Sequence, residues 1–235
     1  KVIMNANHSG SGYLLGIVSD NGNITVENNS VINSTSQVAT YGLSANAGSV
    51  TFRDSTLNVT STGDGSFMQG IYAANGLTTT NSTMKFNSTG SNALYGLGVN
   101  GNINATGLAL QAVGTRDVYA VTSYTGSITA SNSDITARSN SQTANNTVFA
   151  IDAATSATLN NTTVSAENFS TLPTAATRAV RAFSGTIDFI GNMSRVAASS
   201  SSPANAQVLE TPSAVNNNST PQSQCTLNGV TTHCA

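Results

Sequence analysis

Ten carboxylates are the first residues in this chain that could do chemistry. Glycoside hydrolysis needs two carboxyl groups at a set separation across a groove. The candidates are Asp20, Glu27, Asp54, Asp64, Asp117, Asp134, Asp152, Glu167, Asp188 and Glu210. No two share a motif, and although Asp20, Asp152 and Asp188 recur beside apolar segments, the set reads as solvated strand and turn carboxylates. A lyase would also hold a basic residue over calcium-binding acids, and Arg53, Arg116 and Arg138 do not cluster with acids. His8 and His233 stand at opposite ends, which argues against a histidine-centred triad. Cys225 and Cys234 are the only cysteines. So close a pair suggests a small disulfide loop made in an oxidising compartment, with a zinc site that includes the adjacent His233 as the competing reading. Asn-x-Ser/Thr triplets begin at Asn23, Asn33, Asn58, Asn87, Asn145 and Asn168, in a chain so rich in these residue types that chance explains most of them. The glycines do not form the G-x-G-x-x-G of a nucleotide site.

Composition narrows the function classes further. Of 235 residues, 8% are charged and 6% aromatic, and the net charge is −2. A polyanion-binding surface needs a basic stripe, so nucleic acid is not an expected partner. Disorder is a weaker reading, because Ile, Leu and Val recur at even spacing. No apolar run approaches the roughly 18 residues of a membrane span, and Lys1 to Gly10 has no signal-peptide core.

The elements that must position any site come from an internal repeat, which is the strongest signal in the sequence. Similar segments begin at Gly16, Gly42, Gly70, Gly96, Ala120, Ala150 and Ala179, in steps of 26, 28, 26, 24, 30 and 29 residues. An aliphatic residue follows each start: Ile17, Leu43, Ile71, Leu97, Val121, Ile151 and Val180. Strict period-2 alternation then places Leu15, Tyr41, Gln69, Tyr95, Tyr119, Phe149 and Arg178 on the same inward face. A turn centred on Gly22, Gly48, Gly76, Gly101, Gly126, Ser156 and Gly185 leads to a second strand whose inward column begins at Ile24, Val50 and Leu77. A third strand has the inward pairs Val31 and Asn33, Leu57 and Val59, Met84 and Phe86, Leu110 and Ala112, Ile135 and Ala137, and Val164 and Ala166.

Three short strands per repeat predict an all-β, right-handed, three-stranded parallel β-helix of seven to eight coils. Each coil is too thin to bury its own aliphatics and gains burial only by stacking. Between the second and third strands the corner column reads Asn28, Asp54, Asn81, Gly107, Asn132, Asn161 and Gly191. These residue types tolerate left-handed backbone, and stacked amides can bond from coil to coil, so Asn28, Asp54, Asn81, Asn132 and Asn161 are expected to form a structural ladder. Residues 1–12 read as part of a preceding coil, 13–198 as the helix, and 199–235 as a Ser/Asn/Pro-rich cap or tail carrying the cysteine loop, with Ala206 to Leu209 as the start of one further coil. The third turn lengthens at 138–146 and 167–174, where contact loops are expected.

One surface strip stands out on this reading. Alternation places Gly16, Gly70 and Gly96 on the outer face of the first strand, flanked by Leu14, Met68, Leu94, Val118 and Val148. A flat, partly apolar strip of this kind is a candidate interface, unless loops cover it or the chain bends there.

Over about residues 13–198, the repeats, the Asn, Thr and Gly bias and the scarcity of cysteine resemble the β-helical passenger domains of Gram-negative autotransporters, especially self-associating adhesins. The close cysteine pair also fits that family, in which widely spaced disulfides hinder threading through an outer-membrane pore. The resemblance implies an excerpt or processed passenger, because signal peptide, C-terminal barrel and autochaperone segment are missing. It implies a bacterial surface or secreted location, with membrane attachment only through an absent anchor. It also implies a non-catalytic adhesin or self-association module that needs no cofactor or metal and binds another copy or a host surface protein or glycan. A glycan-binding or glycan-cleaving enzyme and an end-to-end fibre subunit are the alternatives.

Overall fold

The structure is a computed structural model and describes residues 1–10, 12–63, 67–90 and 93–235; Asp64 lies outside them. Its strands stack as three parallel sheets around a shared core, a β-solenoid of about eight turns. The first sheet runs Tyr13–Ser19, Ala39–Ala45, Met68–Ala73, Leu94–Val99, Val118–Ser123, Thr147–Ala153, Ala176–Ala182 and Ala206–Glu210. The second contains the short strands Ile24–Val26 through Val215–Asn217, and the third runs from Ile3–His8 to Gln224–Leu227. Successive coils pair in register, and interior columns such as Leu43, Ile71, Leu97, Val121 and Ile151 are stacked and buried. Side chains with no core of their own within one coil thereby lose nearly all contact with water, at roughly 25 cal/mol per Å2 of apolar surface.

The corner column has the backbone its residue types favour. Asn28, Asp54, Asn81, Asn132 and Asn161 have φ of 63°, 49°, 47°, 51° and 48°, and Gly107 and Gly191 complete the column at 63° and 60°. The Asn161 amide donates to Asn132 Oδ1 at 2.8 Å, and the Asn81 amide to Asp54 Oδ1 at 3.3 Å. A second amide ladder lies on the outer face of the third sheet. There Asn58 donates to Asn33 Oδ1 at 2.8 Å and Asn33 to Asn5 Oδ1 at 2.7 Å. Asn33 therefore faces solvent: the register pairs Ile32 with Leu57 and Ser34 with Val59, so Ile32 and Ser34 are the inward residues of this coil rather than Val31 and Asn33. Val31 and Ile32 are both aliphatic, and the side-chain pattern alone does not distinguish them.

The segment 199–235, expected as a cap or tail, continues the solenoid. Ala206–Glu210, Val215–Asn217 and Gln224–Leu227 each pair with the coil before, and Val230–His233 folds back antiparallel on Gln224–Leu227. Cys225 and Cys234 are bonded to each other across this hairpin, which occupies their sulfurs and corrects the zinc reading.

The largest departure from the sequence pattern lies in the first sheet. Pairing runs Tyr95 to Tyr119 and then Leu97 to Val121, leaving out Gly96 and Ala120; every coil skips the same position. The chain bulges there, so that Gly96 and Leu97 both face inward, and alternation reverses across the bulge. Because all coils bulge at one level, the ladders stay in register on either side. Glycine is needed in the early coils, since a Cβ at Gly42 would sit 2.5 Å from the Gly70 carbonyl oxygen and one at Gly96 would sit 2.4 Å from that of Ala120.

Candidate functional site

The bulge exchanges the two columns of the first sheet. Met68, Leu94, Val118 and Val148 are fully buried and Leu14 is partly buried, with Gly70 and Gly96 closed off beside them. The expected interface strip is thus core, apart from the looser first coil at Leu14 and Gly16. Strict alternation failed because it carried no bulge. A sequence signal for the bulge exists: apolar residues three apart, as in Met68 and Ile71, Leu94 and Leu97, or Val118 and Val121, do not fit a period of two.

What faces outward instead is the aromatic column expected inside. Tyr41, Tyr95, Tyr119 and Phe149 occupy one register line, and Gln69 interrupts it. Phe67, from the preceding turn, fills the gap: its ring centroid is 5.7 Å from that of Tyr41 and 5.3 Å from that of Tyr95. Tyr95 and Tyr119 stack at 4.7 Å, and Phe149 meets Tyr119 edge-on at 5.6 Å. Gln69 lies flat and buried, donating to the Gly98 carbonyl oxygen at 3.2 Å. Gly98 leaves room for it, since a Cβ there would be 2.4 Å from Gln69 Nε2 and 2.7 Å from the Tyr124 hydroxyl. Tyr124 thus reaches back over the sheet and, with Tyr72, widens the ladder into a layer.

The rings shield one another in part: Tyr41, Phe67, Tyr72, Tyr95 and Tyr119 are half-buried, while Tyr124 keeps 42% of its surface exposed. Burial pushes the Tyr124 phenol up to about 12, helped by repulsion from Tyr95 and Tyr72 and from Asp152. Burial also lifts Tyr119 to about 12, with Asp117 second, and raises Tyr95. At the C-terminal end of the ladder Arg181 closes the layer. Its guanidinium lies 4.3 Å from the Phe149 ring centroid and forms a two-point pair with Asp152 at 2.7 and 2.8 Å. Burial opposes the Arg181 charge, but the hydrogen bond and attraction of Asp152 outweigh it and leave its pKa raised. Arg178 pairs with Glu210 one coil on.

At the N-terminal end the layer is open. The rung before Tyr41 is Leu15, 52% exposed, and a groove of about 310 Å3 runs between Leu15, Val18, Tyr41, Ser44, Asn46, Gln69 and Tyr72. Its polar groups are wired to one another. Ser44 donates to Asn46 Oδ1 at 2.7 Å, the Asn46 amide donates to Asp20 at 2.8 Å, and Asn100 donates to the Tyr72 hydroxyl at 3.2 Å.

Contrary to the sequence expectation, Arg53 does meet acids, pairing with Glu27 at 2.5 Å and Asp54 at 4.0 Å in an exposed ion cluster. The three carboxylates beside apolar segments, Asp20, Asp152 and Asp188, are dispersed. Asp20 holds Asn46 in the first coil and Asp152 holds Arg181 about five coils, or roughly 24 Å, further along. A hydrolytic pair stands about 5 to 9.5 Å apart. Asp188 lies on the second sheet, where it accepts from Thr186 and Asn216, both at 2.6 Å. Among the described residues no group of three or more His, Cys, Asp or Glu is arranged to hold a metal. Asn168 is buried and donates to the Asn146 carbonyl oxygen at 3.0 Å, which removes it as a glycan acceptor. In the long third turns Arg138 reaches across to Glu167 at 3.6 Å and over the Phe169 ring at 4.7 Å.

Fold and surface together define a three-sided β-solenoid with one aromatic outer face. Comparison with protein families, curated proteins and solved structures returned no match for this chain.

Proposed function

We propose that this solenoid is a non-catalytic adhesive module of a bacterial surface or secreted protein, of the kind carried by autotransporter passengers, and that it binds through the outer face of its first sheet. The observation that carries this reading is where the aromatics lie. Although aromatics are only 6% of the chain, five of the six tyrosines gather with Phe67 and Phe149 on that one face, while Phe52, Phe86 and Phe189 serve the core. Tyrosine supplies contact area with little conformational entropy to lose and keeps a polar tip, which suits an exposed binding surface. Stacking of the solenoid supports the same face rigidly along its length.

Beads coated with the whole chain are expected to clump or to adhere to host matrix, and Tyr41→Ala together with Tyr72→Ala should reduce this severalfold. Beads that neither clump nor adhere would overturn the reading. An enzymatic alternative is decided by incubating the chain with a polysaccharide panel: new reducing ends or unsaturated products would replace adhesion with cleavage.

A further inference from the structure

We infer that the groove between Tyr41 and Tyr72 is a subsite for one sugar residue of a neutral glycan, a proposal that rests on reading the outer face of the first sheet as the binding surface. The groove exists because the ladder stops. The first coil offers Leu15 where Tyr41, Tyr95 and Tyr119 follow on the same line, Val18 and Ser44 precede Tyr72 on the next, and Gln69 folds away to bond Gly98. Two phenol rings therefore stand beside the exposed aliphatic side chains of Leu15 and Val18, in a volume of about 310 Å3, at the small end of the roughly 300 to 1,000 Å3 typical of ligand sites.

The chemistry of the walls selects the ligand class. Strand addition by a peptide would use the open edge of Tyr13–Ser19, which pairs only with Ala39–Ala45. That edge faces along the solenoid axis, whereas the groove opens on the outer face over Ala39–Ala45 and Met68–Ala73, each paired on both sides. A wholly apolar partner would use none of the remaining capacity of the groove's polar groups: Ser44 Oγ can still accept, and the Asn46 amide and the Tyr72 hydroxyl each have a further proton to donate beyond the bonds to Asn46, Asp20 and Asn100. An anionic ligand would find no cation among the described residues that line the groove. The arginines of this face, Arg178 and Arg181, lie at the far end and are bound to Glu210 and Asp152, while the charge beside the groove is the carboxylate of Asp20. What remains is a molecule with an apolar C–H face for the rings and neutral hydroxyls for Ser44, Asn46 and Tyr72: a pyranose without a charged substituent.

The chain has no tryptophan, so its intrinsic emission comes from tyrosines concentrated on this face and reports on it directly. The whole chain would be titrated with neutral oligosaccharides of glucose, galactose, mannose and N-acetylglucosamine, and with oligogalacturonate as the anionic comparator. Tyrosine emission and saturation-transfer NMR would be the readouts. At least one neutral oligosaccharide is expected to bind saturably. Val18→Arg, at a 38% exposed position that lets a long side chain fill the groove, should weaken it at least tenfold, as should Tyr72→Ala. Thr129→Ala on the outer face of the second sheet should leave it unchanged. Val18→Arg decides the matter if Tyr72→Ala fails to fold. Binding that survives Val18→Arg, or binding of oligogalacturonate alone, would overturn the subsite. If coated beads adhere but no oligosaccharide binds, the adhesive face stands and the sugar assignment falls. If neither occurs, both fall.

Discussion

The exchange of columns in the first sheet rests on a complementarity across the core that a double-mutant cycle can measure. The third-sheet column reads Val59, Phe86, Ala112, Ala137 and Ala166 through successive coils. Opposite it the first sheet offers glycine at 42, 70 and 96 and alanine at 120, 150 and 179. Glycine stands where the partner is large: a Cβ at Gly70 would lie 2.1 Å from the Phe86 ring and one at Gly96 would lie 2.9 Å from it. Phe86→Ala deletes a side chain that is 1% exposed and should cost about 3 to 5 kcal/mol through lost burial and the cavity left behind. Gly70→Ala drives a methyl into that ring and should cost about 1 to 3 kcal/mol. In the double variant the methyl enters the vacated space, so the combined loss should fall short of the sum by about 1 to 2 kcal/mol, within the usual range for touching residues. Recovery is incomplete because the new Cβ still lies 2.6 Å from the Gly96 carbonyl oxygen. Urea unfolding followed by circular dichroism gives the cycle. Solenoids can unfold coil by coil, so amide exchange of the Leu94–Val99 strand provides a local second measure. Costs that add to within about 0.5 kcal/mol would mean that Gly70 and Phe86 do not meet, and the inward assignment of the bulge would fail.

Two further perturbations probe the outer layer and the corner. Tyr119 and Tyr124 resist ionisation to about 12, above the ordinary 10.0, so an unfolded chain loses those phenol protons first as pH rises. Their contribution is intact below pH 10.0 and is lost as pH rises to about 12. Phenolate absorbance should therefore show a late-titrating fraction that disappears in urea, and a native titration with a single ordinary midpoint would refute the desolvated layer. At the corner, Asn161→Ala should cost about 1 to 2 kcal/mol because Asn161 holds φ of 48° and donates to Asn132. Asn161→Gly should cost less in the same denaturation series, and equal losses would show that left-handed backbone is not what the residue supplies.

Much of the architecture was legible because stacking forces each coil to repeat its inward residues. Leu43, Ile71, Leu97 and Val121 align in the sequence for the same reason that they align in the core, and Asn81, Asn132 and Asn161 mark a corner that their side chains tolerate. The faces of the first strand were not legible from alternation, which assumes an unbroken pleat. Its failure was written in the spacing of Leu94 and Leu97, a pair that no straight strand buries together. The last coil was legible only at its start: Ala206 to Leu209 reads as the first strand of a further coil, whereas Val215–Asn217 and Gln224–Leu227 lie in a stretch whose Ser, Asn and Pro content reads as cap or linker, and neighbouring coils supply the pairing that composition does not announce. The candidate site combined both obstacles. Its tyrosines were visible, but their outward placement depends on the bulge, and Phe67 joins them from a turn outside the repeat.

Core and candidate site are therefore a single construction. Turning Met68, Leu94, Val118 and Val148 inward obliges the neighbouring position to point out of the core, so Tyr95 and Tyr119 reach the surface, and Phe149 lies beneath Arg181, because of how the interior is filled. The face inherits the spacing of the coils beneath it, and its rings contact one another over 4.7 to 5.7 Å. The two ends of that layer differ chemically. Arg181 and Asp152 close one with a satisfied ion pair over Phe149, while Tyr41 opens the other onto Leu15. A ligand laid along the face meets packed ring edges in the middle, neutralised charge at one end and an unfilled groove at the other. On the proposed reading, discrimination would fall at the groove, where a bound group could replace water against both a phenol and exposed aliphatic side chains.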